Sequence, residues 1–276
     1  MIPQPPKRPT TPQPPVNQQS RSKVSFGNIE SSKGHRIVLF GTGGIGKTTI
    51  ACLAPGPVAF IDADESLPTL KASLKENSIK LPTIVSAHDW ASVRSALQSD
   101  GWDDIKTIVI DTATKLEELA VAHTIKTVKH EKGNSVSSIE GYGFGKGFQF
   151  VFDTFLPLLG DLDRHVRAGR NVILIAHECT SNVPNPKGED WIRYEPRLQN
   201  PNSGKASIRL RLKEWADHVL FLGYDVEVNK DTGKAAGHGS RTLYTAELPF
   251  CMAKSRTTSD QIDIRIGESP WDQIIK

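Results

Sequence analysis

Lys47 and Thr48 stand near the end of the stretch Gly41, Thr42, Gly43, Gly44, Ile45, Gly46, Lys47, Thr48 and Thr49, which fits the pattern G-x-x-x-x-G-K-[ST]. Glycines at this density let a backbone turn tightly so that its N–H groups converge, and such a cradle binds phosphate. The ammonium of Lys47 would reach the β- and γ-phosphates of a nucleotide, and the hydroxyl of Thr48 would meet Mg²⁺. ATP with Mg²⁺ is therefore the expected cofactor.

Four further places carry chemistry. Thr107 to Ile110 is a β-branched run that ends on Asp111, a carboxylate suited to holding Mg²⁺ opposite the loop threonine. Val58 to Ile61 leads into Asp62, Asp64 and Glu65, and either Asp64 or Glu65 is a candidate for activating water. Val172 to Ala176 ends on His177, whose ring N–H could sense a γ-phosphate. Lys254 and Arg256 lie one residue apart, so an extended backbone would point both to one side, where they could stabilise a transferring phosphoryl group in their own subunit or across an oligomer interface. Exposed strand-edge charge is the plainer explanation of that pair.

These residues need a scaffold, and the pattern supplies one. Arg36 to Phe40 reads as a buried strand, and Lys47 to Ala54 as a helix that Pro55-Gly56 stops, so strand, glycine loop and helix follow in order. Strands are expected at Val58–Asp62, Thr83–Val85, Thr107–Asp111 and Asn171–Glu178, and parallel strands of one sheet end on a shared ligand side. Helices are expected at Leu67–Leu74, at Trp90–Leu97 behind the N-cap Asp89, and at Phe148–Val166. Residues 124–147 and 179–207 read as long polar loops, Tyr224–Leu248 as a hairpin around Lys230-Asp231-Thr232-Gly233, and Ile262–Ile266 as a last strand. The class is α/β with a mostly parallel twisted sheet.

Composition sets the outer limits. A chain of 276 residues with 37% hydrophobic content can build one large domain. No apolar run reaches the roughly 18 residues of a membrane span, so a soluble, cytoplasmic protein is expected, with no membrane partner. Cys52, Cys179 and Cys251 are far apart and lack C-x-x-C spacing, which indicates neither zinc nor a disulfide framework. A net charge of +3 is too small to demonstrate nucleic-acid binding, so any basic surface must be local. Two stretches qualify: Tyr142, Phe144 and Lys146, and the seven basic residues from Lys187 to Lys213 with Trp191 and Tyr194 among them. Residues 1–30, rich in Pro and Gln, are expected to be a disordered basic tail ahead of a domain at 31–276.

Taken together, GTGGIGKTT, VAFIDADE, TIVIDTATKL and ILIAHE resemble a RecA-like ATPase core. By that resemblance Asp64 falls where the family places a catalytic glutamate, His177 where a polar sensor is usual, and Lys254 with Arg256 where a K-x-R pair reaches a neighbour's nucleotide. With GYGFGKG, the Y-x-P-x-L stretch Tyr194 to Leu198 and AKSR added, the chain is similar over about residues 34–266 to phage-type AAA ATPases, whose better understood members are single-strand annealing proteins. The resemblance implies ATP hydrolysis, single-stranded DNA as partner, a homo-oligomer and a role in recombination. A helicase-type motor, a small-molecule phosphotransferase and a nucleotide-dependent assembly switch would share the same loop.

Overall fold

The computed structural model describes residues 24–26, 34–202, 205–228, 235–265 and 267–275. The expected tail, apart from residues 24–26, lies outside the described residues, as do the hairpin tip at 230–233 and Ile266. Ser32–Lys276 form one compact unit, whose architecture follows.

Among the described residues a nine-stranded sheet runs through this unit. Its strands are β1 (Arg36–Gly41), β2 (Val58–Asp62), β3 (Thr83–Val85), β4 (Thr107–Asp111), β5 (Asn171–Val183), β6 (Trp191–Pro196), β7 (His218–Val228), β8 (Ala235–Tyr244) and β9 (Ile262–Ile264). The order β3-β2-β4-β5-β1-β7 is parallel throughout, and β8 and β9 continue the sheet antiparallel beyond β7. The fold class read from the sequence is therefore the one observed. Strand β5 lies between β1 and β4, so the phosphate-loop strand and the Asp111 strand are not neighbours. The opening between their ends can admit a ligand at the carboxyl edge of the sheet.

Among the described residues six α-helices accompany the sheet: α1 (Lys47–Cys52), α2 (Leu67–Glu76), α3 (Trp90–Gln98), α4 (Ala113–Thr127), α5 (Lys146–Arg167) and α6 (Ile208–Trp215). Side chains alternate along the buried strands and feed two cores. Val38, Phe40, Ile108, Ile110, Val172 and Leu174 pack with Trp90, Leu116, Phe155 and Leu212 of α3 to α6. Ile37, Leu39, Val109 and Ile173 pack on the other face with Ile50, Leu74 and Trp271. Asp89 caps α3, accepting from the Ser92 amide at 2.6 Å, as its sequence position predicts. Helix α5 continues through Pro157 as one element.

The stretch 179–207, expected as loop, is instead partly strand: β5 runs on to Val183 and pairs antiparallel with β6. Its apolar pattern is inverted. Trp191, Ile192 and Tyr194 are exposed, whereas Arg193 and Glu195 are buried. A reading that looks for apolar residues inside cannot find such a strand. The expected loop at 124–147 also shortens, because α4 reaches Thr127 and α5 begins at Lys146.

Candidate nucleotide site

The end of β1 delivers the glycine loop to the start of α1. Gly46 sits there at φ 104°, a left-handed conformation, and a Cβ on it would lie 2.5 Å from Nη1 of Arg241, so a larger residue would strain the backbone and displace that guanidinium. Lys47 is only 6% exposed. Its ammonium donates to the carbonyls of Gly41 at 2.8 Å and Thr42 at 2.7 Å, folding the side chain back over the loop. Burial holds its pKa below the usual lysine value, opposed by Asp111, Glu178 and Asp64. Those carboxylates keep positive charge at the phosphate cradle.

Strand β4 ends on Asp111, whose Oδ2 accepts a 2.7 Å hydrogen bond from the Thr48 hydroxyl. Burial pushes the Asp111 carboxyl up to about 6, against the lowering effect of that bond. A hard cation prefers oxygen ligands, and a hydroxyl paired with a carboxylate beside a phosphate cradle supplies them. Among the described residues no cluster of three His, Cys, Asp or Glu could hold a metal alone. A Mg²⁺ ion would fit here as the companion of phosphate oxygens, and Thr48 and Asp111 would hold it.

Strand β2 settles the geometry of the acidic cluster. Asp62 turns inward and accepts from the amides of Ser66 at 3.1 Å and Leu67 at 2.9 Å, so it shapes the start of α2. Glu65 adopts φ 53° and projects outward, its side chain 75% exposed and 3.6 Å from His88. Asp64 points into the cleft, where its Oδ2 accepts from the Thr112 hydroxyl at 2.9 Å and lies 4.0 Å from Nε2 of His177. His177 ends the parallel part of β5, and its amide donates to the Thr114 hydroxyl at 3.1 Å. Burial, then Lys47 and Arg197, push its pKa below the usual histidine value, favouring the neutral ring. Gly44, Gly46, Lys47, Thr48, Thr49, Asp64, Asp111, Thr112 and His177 thus line one cleft, with Ser66, Thr69 and Leu70 of the neighbouring segment.

Lys254 and Arg256 do not join this cleft within the chain. Lys254 bridges to Val219 near the start of β7, three residues before the level of Gly41. Its ammonium donates to the carbonyls of Lys213 at 3.0 Å and Ala216 at 2.7 Å, closing the C-terminus of α6. Arg256 is exposed, its Nε 3.5 Å from Asp217.

The structure adds residues that motif reading passed over. Arg241 of β8 donates to the Ile45 carbonyl at 2.7 Å and so braces the loop from a distant segment. Thr112 and Thr114, directly after Asp111, position Asp64 and His177 through their hydroxyls. Glu178 follows His177 and lines a neighbouring groove with Thr42, Tyr194, Tyr224 and Phe250. The Thr-Ala-Thr run was visible in the sequence, but nothing there marks Arg241. Of the basic residues from Lys187 to Lys213, Arg193 and Arg209 are buried in ion pairs with Glu195, and Arg193 and Lys213 also reach Glu247.

A parallel sheet whose first strand feeds a glycine loop, with a hydroxyl–carboxylate pair across the strand ends, defines a P-loop nucleotide-binding protein. Residues 33–257 match an AAA domain family, and the chain belongs to it. No curated protein matches the chain. No helix among the described residues is long and apolar enough to cross a membrane.

Proposed function

We propose that this protein binds Mg-ATP at the carboxyl edge of its sheet, hydrolyses it, and couples turnover to binding of single-stranded DNA in annealing or recombination. The observation that carries the first part is the convergence of Lys47, the Thr48–Asp111 pair, Asp64 and His177 on one cleft. Lys47 exchanges its two loop carbonyls for phosphate oxygens. Thr48 and Asp111 would hold Mg²⁺, which would supply charge neutralisation at the phosphates. Asp64, rather than the outward Glu65, orients the attacking water, and neutral His177 donates a hydrogen bond toward the terminal phosphate.

The remaining positive charge comes from a neighbouring copy in a homo-oligomer, through Arg256, which is 64% exposed and held only loosely at Asp217. The DNA reading is supported by the similarity of GYGFGKG, IAHE, Y-x-P-x-L and AKSR to phage-type AAA ATPases. The test is ATP turnover with and without single-stranded DNA across a salt series. Stimulation that falls steeply with salt is expected, because phosphate contacts release counterions. A Lys47→Ala protein that kept wild-type turnover would sink the site assignment, and turnover indifferent to DNA would sink the coupling.

A further inference from the structure

The segment between α4 and α5 displays one side chain in a way that nothing inside the chain explains. Phe144 is 102% exposed, and its backbone adopts φ 49°, a region that a bulky residue rarely enters. Gly143 and Gly145 flank it, both at φ 72°. The surrounding loop is anchored. The Tyr142 ring is buried, and its hydroxyl donates to the carbonyls of Val128 at 2.7 Å and Thr124 at 3.2 Å. Lys146 pairs with Glu131. Gly147 packs so closely that a Cβ there would lie 2.2 Å from the Ile139 carbonyl oxygen. Phe144 thus stands out from a fixed base, exposed and strained at once, and both conditions oppose folding.

The charge of this segment bears on the partner. Lys126 in the last turn of α4 and Lys129 and Lys132 just after it are exposed, as are Glu131 and Glu140; Lys126 acts on Asp89 and Glu131 is taken by Lys146, and none of the three lysines forms an ion pair among the described residues. Cations within about twenty residues of a projecting aromatic ring suit a polyanion that carries flat apolar surfaces, which is the chemistry of an unpaired nucleic-acid strand. A second copy of this chain would bring no such excess of negative charge, since the protein is net positive.

The root of this loop also reaches the nucleotide cleft. The Phe148 carbonyl accepts from Nε2 of Gln199 at 2.9 Å, and the Gln199 amide donates to Glu117 at 2.7 Å. Two residues earlier, the Arg197 amide donates to the His177 carbonyl at 2.8 Å. The start of α5 is therefore joined through one short segment to the backbone of His177.

We infer that Phe144 is a base-stacking residue for single-stranded nucleic acid, with Lys126, Lys129 and Lys132 meeting the phosphates, and that strand binding is relayed to His177 through Gln199 and Arg197. This rests on the proposed nucleic-acid reading and gives it a location. The test uses the full chain with Mg-ATP and a fluorescein-labelled oligothymidine, measuring anisotropy and the ratio of turnover with strand to turnover without. Phe144→Ala should bind roughly ten- to a hundredfold more weakly, lose the stimulation ratio, and melt at the wild-type temperature because the ring makes no internal contact to lose. Phe144→Trp should restore binding, and its fluorescence should be quenched when the strand is added. If the wild type fails to bind the strand, the nucleic-acid reading falls and this inference with it. If the wild type binds but Phe144→Ala binds equally well, or Phe144→Trp is not quenched, the inference is overturned while the broader reading stands.

Discussion

The hydroxyl of Thr48 donates to Oδ2 of Asp111 at 2.7 Å, joining the loop that cradles phosphate to the end of a strand two positions away in the sheet. The bond would pre-set two oxygens for the proposed Mg²⁺, yet burial raises the Asp111 carboxyl to about 6, so a proton would compete with the metal. Below that value the carboxyl is protonated and would ligate poorly; above it the carboxylate would be free to ligate. Mg-ATP affinity should therefore rise with pH through about 6 and level off by about pH 7. ATP itself titrates nearby, so the diagnostic quantity is the difference from Asp111→Asn, which should bind weakly and lack this component. Calorimetric titrations of both proteins across the range check it.

Asp64 and Glu65 are adjacent in sequence and point to different places. Asp64→Asn should lower kcat by about 10²- to 10⁴-fold, as loss of a general base does. Glu65→Gln should leave kcat within about twofold, since its side chain meets only solvent and His88. Steady-state turnover of the two variants separates them, and comparable losses would exclude the assignment of Asp64.

Much of this was legible in the sequence. The loop, the strand ending on Asp111, the apolar first half of the strand that carries His177, and the Asp89 cap follow from periodicity and residue type, because each is a local pattern that the fold simply uses. What stayed hidden depends on long-range geometry. The choice between Asp64 and Glu65 turns on the left-handed backbone of Glu65. Strand β6 was masked by Arg193 and Glu195, which are buried as partners where apolar residues are expected. Arg241 reaches Ile45 across 196 positions, and no spacing rule anticipates that contact.

Arg241 gives its own prediction. Its guanidinium fixes the Ile45 carbonyl and closes on Gly46, holding the loop in the conformation that aims its amides. Arg241→Ala should raise the KM for ATP by roughly tenfold, the scale of one lost charged hydrogen bond, with a smaller effect on kcat. An unchanged KM would mean that the loop holds its shape without the brace.

Lys254 and Arg256, similar in spacing and charge, should behave differently. Lys254→Met removes the donor that closes the C-terminus of α6 and should cost about 1–3 kcal/mol in stability. Arg256→Ala should leave the melting temperature unaltered and lower turnover, the loss appearing at protein concentrations that support oligomers. Denaturant melts and turnover against protein concentration measure both. Turnover of Arg256→Ala equal to wild type at every concentration would remove Arg256 from the proposed chemistry.

Glu117 offers a last test, of stability as a function of pH. It lies on α4, accepts from the Gln199 amide at 2.7 Å, and is pushed up to about 7, chiefly by burial. A carboxyl whose folded pKa exceeds its unfolded one binds its proton more tightly when folded, so stability falls as pH rises from about 4.5 to about 7 and stays low above. Glu117→Gln keeps an oxygen for the Gln199 amide and has no charge to bury. It should stabilise the protein by about 1–3 kcal/mol at about pH 8 and flatten that slope. Below about pH 4, where Glu117 is neutral in the folded and the unfolded protein alike, the two proteins should unfold alike. Because the same Gln199 holds the root of the Phe144 loop, a stabilised Glu117→Gln protein that lost its response to DNA would show that the relay needs this carboxylate charged.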